Sequence, residues 1–151
     1  MLSGSAEEEV VEGAMRMRLY VDASLCTECR LCQLACSFEK TGAFNPRHGL
    51  LRIDVRKSGL ISEPIVCVQC ENPLCVRACV VGAITKGDDG VVVIVPDKCV
   101  GCGRCAEACL HDVIVMQEKK ARKCDLCNGS PKCVAACPTR ALRIVEEVSQ
   151  G

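Results

Sequence analysis

The residues of this chain that can do chemistry are its sixteen cysteines, which stand in four groups of four. Cys26, Cys29, Cys32 and Cys36 form the first group, and Cys99, Cys102, Cys105 and Cys109 the third; both are spaced C-x₂-C-x₂-C-x₃-C. The second, Cys67, Cys70, Cys75 and Cys79, has four residues in its middle gap, and the fourth, Cys124, Cys127, Cys133 and Cys137, has five. Three closely spaced thiolates can wrap one iron–sulfur cube. A fourth that opens a helical turn carries its sulfur away to a neighbouring cube. The tight spacing is the ligand run of bacterial-type iron–sulfur proteins, where the last cysteine ligates the other cluster of a pair. Sixteen thiolates would serve four [4Fe–4S] cubes and leave no iron open to a substrate.

Two other uses of cysteine fit less well. Structural zinc sites commonly pair two C-x₂₋₄-C units across a longer stretch around one tetrahedral ion, whereas here a third cysteine follows directly and the pattern recurs. A disulfide scaffold belongs to small secreted chains. The start, "MLSGSAEEEVVEGAMRMRLY", is acidic and lacks the apolar core of a secretory signal. No stretch has the apolar length of a membrane span. A cytoplasmic, anaerobic setting is expected. The core argues the same way, because only Tyr20, Phe38 and Phe44 are aromatic among 151 residues. So few large side chains cannot fill the interior of a chain this long. Something bound to the thiols must supply volume and cross-links.

Each group also holds one basic residue among its cysteines: Arg30, Arg77, Arg104 and Lys132. These are candidates for tuning a cube's potential, and equally for solvated surface charge in a chain that is 25% charged. His48 and His111 read as ordinary surface residues, since all four groups already have four sulfurs. Asp22, Asp97 and Asp112 form no carboxylate pair, and no dinucleotide, phosphate-loop or Ser/Cys–His signature is present. With 19 basic and 19 acidic residues the formal charge is zero, which gives no bias toward nucleic acid. Four oxidised cubes with their thiolates would add roughly −8.

Short elements must position these sulfurs. "CVVGAITK", "CLHDVIVM" and "CPTRALRI" each run from a fourth cysteine through three residues into aliphatics, a helical turn ending in a strand. Group one departs, with "CSFEKTGAFNPRHGLLRIDV" making a longer excursion before a strand at Leu50–Val55. "GAITKGDDGVVVIV" reads as a hairpin around Asp-Asp-Gly. Strands are expected at Arg16–Val21 and Ala141–Glu146, and residues 1–14 read as a disordered acidic tail.

"CVQCENPLCVRACVVGAI" and "KCDLCNGSPKCVAACPTRA" resemble the electron-transfer subunit family with four [4Fe–4S] clusters. That family includes the iron–sulfur subunits of dimethyl sulfoxide reductase and formate dehydrogenase and the small polyferredoxin subunits of some hydrogenases. The resemblance runs from Leu19 to about Ile144, and all sixteen cysteine positions match. "CTECRLCQLACSFEKTGAFNP" is similar to small subunits that accompany tungsten enzymes of the aldehyde oxidoreductase type. Two features differ: the proline that often follows the fourth cysteine stands only at Pro138, with Ser37, Val80 and Leu110 elsewhere, and the chain is shorter than many members.

The resemblance implies an α+β fold of two bacterial-ferredoxin-like, two-cluster units, one inserted into the other. Residues 15–60 plus 115–147 would form the outer unit and 61–114 the inserted one. Cross-ligation would then give Cys26, Cys29, Cys32 with Cys137 and Cys67, Cys70, Cys75 with Cys109. The other two sets would be Cys99, Cys102, Cys105 with Cys79 and Cys124, Cys127, Cys133 with Cys36. Sequential pairing of group one with two and three with four is the competing arrangement. The function implied is an electron-transfer subunit without a substrate site of its own. It would relay single electrons between a catalytic oxidoreductase subunit, of the tungsten or molybdenum kind, and a further carrier. The competing readings are a freestanding soluble polyferredoxin and a zinc-bound interaction module. No nucleic acid or membrane span enters any of them.

Overall fold

The computed structural model describes residues 15–148, so the expected tail at 1–14 lies outside the described residues. The described chain begins and ends on one ladder. Strands β1 (Met15–Val21) and β8 (Leu142–Val148) pair antiparallel, from Met15 opposite Val148 to Val21 opposite Leu142. The Asp22 N–H extends the ladder by donating to the Ala141 carbonyl at 2.8 Å. This pairing carries group one to group four across the length of the sequence. Leu19 and Leu142 bury the inner face of the ribbon.

Helix α1 (Leu31–Thr41) runs through the end of group one and stops at Gly42, whose φ of +72° is the left-handed conformation glycine tolerates best. Ser37, fully buried, ties the exit loop down: its hydroxyl donates to Leu34 and accepts from the Asn45 N–H. The other helices are single short turns, α2 (Leu74–Ala78), α3 (Arg104–Ala108) and α4 (Lys132–Ala136). α1 packs on α4 and α2 on α3.

Three more hairpins complete the molecule: β2 (Arg52–Arg56) with β3 (Ile61–Ile65), β4 (Ile84–Lys86) with β5 (Val92–Ile94), and β6 (Val115–Gln117) with β7 (Lys120–Arg122). The expected Asp-Asp-Gly turn joins β4 to β5, with Val91 N–H donating to the Asp89 carboxylate and Gly90 left-handed. The strand expected at Leu50–Val55 begins later, at Arg52, because Leu50 and Leu51 turn into the core instead. The β2–β3 and β6–β7 hairpins carry no Asn-Gly or Asp-Gly signal. Their turns rest on left-handed Lys57, Ser58 and Gly59, and on left-handed Glu118 and Lys119.

Two-stranded ribbons are barely stable alone, so their inner faces matter. Two apolar cores collect them. One holds Leu19, Leu50, Leu51, Val66, Val91, Leu126 and Leu142 with Cys32, Cys36 and Cys133; the other holds Ile84, Val92, Ile114 and Ala121 with Cys105. Cysteines are wall material in both. The result is a small α+β fold of short strands and few helices. Among the described residues no helix is long and apolar enough to cross a membrane.

Candidate metal centres

A local rule recurs in all four groups. The residue just before the second cysteine is left-handed: Glu28 (φ +59°), Gln69 (φ +51°), Gly101 (φ +77°) and Leu126 (φ +57°). Three of these are not glycine, and non-glycine residues hold this conformation at a cost of about 1–2 kcal/mol. Such strain persists where surroundings over-determine it, typically at functional sites. It turns the backbone sharply inside each C-x₂-C loop. The tight groups then enter their helices through a second left-handed residue, Arg30 or Gly103. The stretched groups enter through a proline, Pro73 or Pro131. In group four the extra length is taken up by left-handed Cys127, Asn128 and Gly129.

The fourth cysteines obey a second rule. Cys79, Cys109 and Cys137 each end a short helix, and the third residue beyond each is left-handed: Gly82, Asp112 and Arg140. The turn forms whether the next residue is Val80, Leu110 or Pro138, so the missing prolines leave its geometry unchanged. It aims backbone N–H groups at the sulfur, as Ala83 N–H does toward Cys79 Sγ at 3.2 Å. Cys36 differs. It sits inside α1, buried, and receives the Leu50 N–H at 3.2 Å from the far end of the excursion. Ala121 and Leu126 supply N–H groups at 3.4 Å to Cys99 and Cys124.

These rules bring thiols from different groups side by side. Cys26, Cys29, Cys32 and Cys137 line one pocket, beside Thr139 and Leu142. Cys79, Cys99, Cys102 and Cys105 line another, beside Ile84 and Ala121. Cys36 and Cys133 both lie within electrostatic reach of Cys127, and Cys133 also of Cys124. Cys75 lies within reach of Cys67 and Cys109, and half-buried Cys70 shares that loop.

Burial dominates the chemistry of the inward thiols. It pushes Cys32 up to about 11 and Cys124 up to about 12, against single backbone N–H groups that pull them down. Cys133, Cys36, Cys75 and Cys105 are raised too, burial again leading. For Cys79 and Cys137 burial also raises the thiol, but the ring of N–H groups after the turn outweighs it and the net direction is down. Thiolates packed this closely in an apolar interior require a cation among them, and metal binding is what exchanges for their protons. The donor set suits an iron–sulfur cube: all sulfur, four to a quartet, spread around cavities and met by N–H groups. Among the described residues no three or more His, Cys, Asp or Glu converge closely enough for a single ion.

Arg30, Arg77, Arg104 and Lys132 are all exposed, as is His111, and His48 is half-buried. Sequence reasoning passed over a different set of polar residues: Gln69 at 1%, Lys123 at 6% and Arg16 at 8% exposure, all deep between the loops of groups two and four. The one signal for Lys123 was its place immediately before Cys124. Gln69 carried none.

The chain is similar to known proteins. A family described as a 4Fe-4S dicluster domain matches residues 60–147. The electron transport protein HydN of Escherichia coli (strain K12) is 36% identical over 87% of this chain and 89% of its own length. The polyferredoxin-like subunit of the aliphatic sulfonate oxidoreductase of Pyrococcus furiosus is 38% identical over 86% of this chain and 75% of that subunit. The putative oxidoreductase UacF of E. coli is 37% identical over 88% of this chain, which spans only 22% of UacF's length. Among solved structures, a chain of the active site complex BamBC of benzoyl coenzyme A reductase matches 91% of this chain and 82% of its own at a TM-score of 0.54. Its 23% identity makes that a likeness of fold. The family match and these relatives agree with the four cysteine groups: the chain belongs to the 4Fe-4S dicluster family of iron–sulfur electron-transfer subunits.

Proposed function

We propose that the chain holds four [4Fe–4S] clusters, one in each quartet, and passes single electrons along them between a catalytic oxidoreductase subunit and a second carrier. The ligand sets would be Cys26, Cys29, Cys32, Cys137; Cys36, Cys124, Cys127, Cys133; Cys67, Cys70, Cys75, Cys109; and Cys79, Cys99, Cys102, Cys105. Each bound cluster would supply a one-electron couple; the chain supplies position, insulation and N–H groups aimed at sulfur. Residues 15–60 with 115–147 would make the outer unit and 61–114 the inserted one, the β2–β3 hairpin crossing their junction at position 60.

The observation that carries this reading is the order in which the quartets touch. Cys32 of the first lies within electrostatic reach of Cys133 of the fourth, and Cys124 of the fourth within reach of Cys67 of the second. Helices α2 and α3 join the second to the third. On this reading the order would be linear, and the only exposed cysteines among the described residues, Cys29 and Cys102, would belong to its two ends. A relay needs two ports, and these are placed for them. The relatives named as subunits favour a catalytic partner at one port. The sequence likeness to small subunits of tungsten aldehyde oxidoreductase-type enzymes suggests its class, working in the cytoplasm.

Anaerobic purification of the full chain from its native host tests this. The expected product is brown, with about sixteen irons per chain, four to each quartet, and it co-purifies with a larger cofactor-bearing protein. A colourless zinc protein would sink the cluster reading. A stable, fully loaded lone monomer would favour a freestanding carrier.

A further inference from the structure

Lys123 is the one lysine buried in the described chain, and its surroundings are unusual for an ammonium group. Its Nζ donates to the Cys124 carbonyl at 2.7 Å, to Gln69 Oε1 at 3.3 Å and to the Val92 carbonyl. All three acceptors are neutral. No carboxylate among the described residues forms an ion pair with it. Gln69 is built into the same cage: its Nε2 donates to the Cys124 carbonyl at 2.9 Å while Oε1 accepts the Val92 N–H at 2.9 Å. Arg16 closes the cage by donating to the Gln69 carbonyl at 3.2 Å.

Carbonyl oxygens satisfy the hydrogen-bonding needs of a buried ammonium without neutralising it, and an unpaired buried charge is strongly penalised. Retaining one here makes physical sense if anions flank it. Cysteine ligands would do so on both sides, as thiolates of bound clusters. Beside the desolvation that raises them, Cys75 and Cys124 each feel the Lys123 charge as a stabiliser of their anionic form. Those two cysteines belong to the second and fourth quartets, the middle pair in the order above. Lys98 is the natural contrast. It too stands immediately before the first cysteine of a group, yet it is exposed to solvent, where water and salt screen its charge.

We propose that Lys123 is an electrostatic positioning residue for the middle of the relay: a single buried cation, shared by the Cys67 and Cys124 quartets, that stabilises the reduced state of the clusters held there. Reduction adds one negative charge to a cluster, and a fixed cation in a poorly screened interior favours the added electron. Because one charge faces both quartets, it raises both potentials together. This keeps the step between them close to level, while the exposed Arg30, Arg77, Arg104 and Lys132 act through solvent.

The inference rests on cluster binding by the quartets. Iron content and the number of paramagnetic centres in the reduced wild-type holoprotein test that premise separately. The experiment is an anaerobic redox titration of the full chain followed by electron paramagnetic resonance, comparing wild type with Lys123→Met, Lys123→Gln, Lys123→Arg and Lys98→Met. Expected for the neutral Lys123 variants is a roughly tenfold loss in the reduction equilibrium of two of the four centres, about 59 mV for a one-electron couple. Lys123→Arg should retain most of the wild-type values and Lys98→Met all of them. If both neutral variants fail to load while Lys123→Arg loads, the charge itself is required and the proposal stands. It is overturned if the neutral variants leave all four potentials in place, if Lys123→Arg shifts them as far as Lys123→Gln, or if no Lys123 variant loads.

Discussion

The core around Leu126 and the core around Val92 each take in cysteines of two groups, but they are built with different amounts of protein. The Leu126 core draws on seven aliphatic side chains, an 11-residue helix and a pair of seven-residue strands. The Val92 core has three aliphatics and an alanine, helices of five residues and strands of three. Buried apolar area is the main stabilising term of a fold, at about 25 cal/mol per Å². The Val92 half therefore depends more on whatever its cysteines hold. The N–H groups aimed at its sulfurs, and the close docking of its β6–β7 turn, stand where a larger domain would have packed leucines.

Metal removal should expose that difference most strongly. Under anaerobic chelation of iron, circular dichroism should show the cooperative unfolding transition disappear, because folding and ligation are one equilibrium in such a chain. Amide exchange followed during chelation should lose protection in β4, β5 and α3 before β1 and β8. An apo chain with native-like dichroism and even protection across both halves would contradict the contrast.

A smaller lever acts on the Val92 half alone. The left-handed position before the second cysteine is filled by Leu126 in one core, whose side chain is fully buried, and by Gly101 in the other. A Cβ on Gly101 would collide with the Lys119 backbone carbonyl in the β6–β7 turn, which cannot swing aside as a side chain would. Lys120 fixes that turn by donating from Nζ to the Cys99 carbonyl at 2.5 Å. Gly101→Ala therefore combines a left-handed cost of about 1–2 kcal/mol with an overpacking cost of about 1–3 kcal/mol. The variant should purify with about one quarter less iron, the loss falling on one of four centres. Full loading with unchanged thermal stability would show that the β6–β7 turn is not rigidly seated.

What could be read from the sequence follows the same division between ligand chemistry and packing. The cysteine groups were legible because metal geometry constrains spacing directly. The terminal strands were legible from their aliphatic runs, and the β4–β5 turn from Asp-Asp-Gly. The length of α1 was not, since Ser37 and Thr41 are indifferent helix formers and only tertiary bonds from Asn45 and Leu50 show why the helix continues past Cys36. The β6–β7 hairpin was hidden because Glu118 and Lys119 take a conformation usually reserved for Asn and Gly. Gln69 and Lys123 were missed because polar residues beside a cysteine loop read as surface. Their burial is set by partners more than fifty residues away in sequence for Gln69 and thirty-one for the Lys123–Val92 bond.

The smallest effect belongs to the Leu126 half and probes how α1 is fastened to group four. Lys40, near the end of α1, pairs with Asp125 at 2.5 Å, the side chains being 16% and 32% exposed. Asp125 also accepts the Cys127 N–H at 3.0 Å, capping the loop that carries two cysteines. Lys40→Met keeps the stem and the cap but removes the cross-link, at a cost on the order of 1 kcal/mol, between exposed and buried pairs. Thermal melting of the loaded protein should fall by about 2–4 °C, and added salt should reproduce little of the loss because the pair is half-buried. The more exposed Arg56–Asp54 pair on β2 gives the control, and Arg56→Ala should not change the melt. If the two variants behaved alike, α1 would be held by Ser37, Cys36 and apolar contact alone. The Leu126 half would then be sturdier because of its leucines, with no contribution from its polar fastenings.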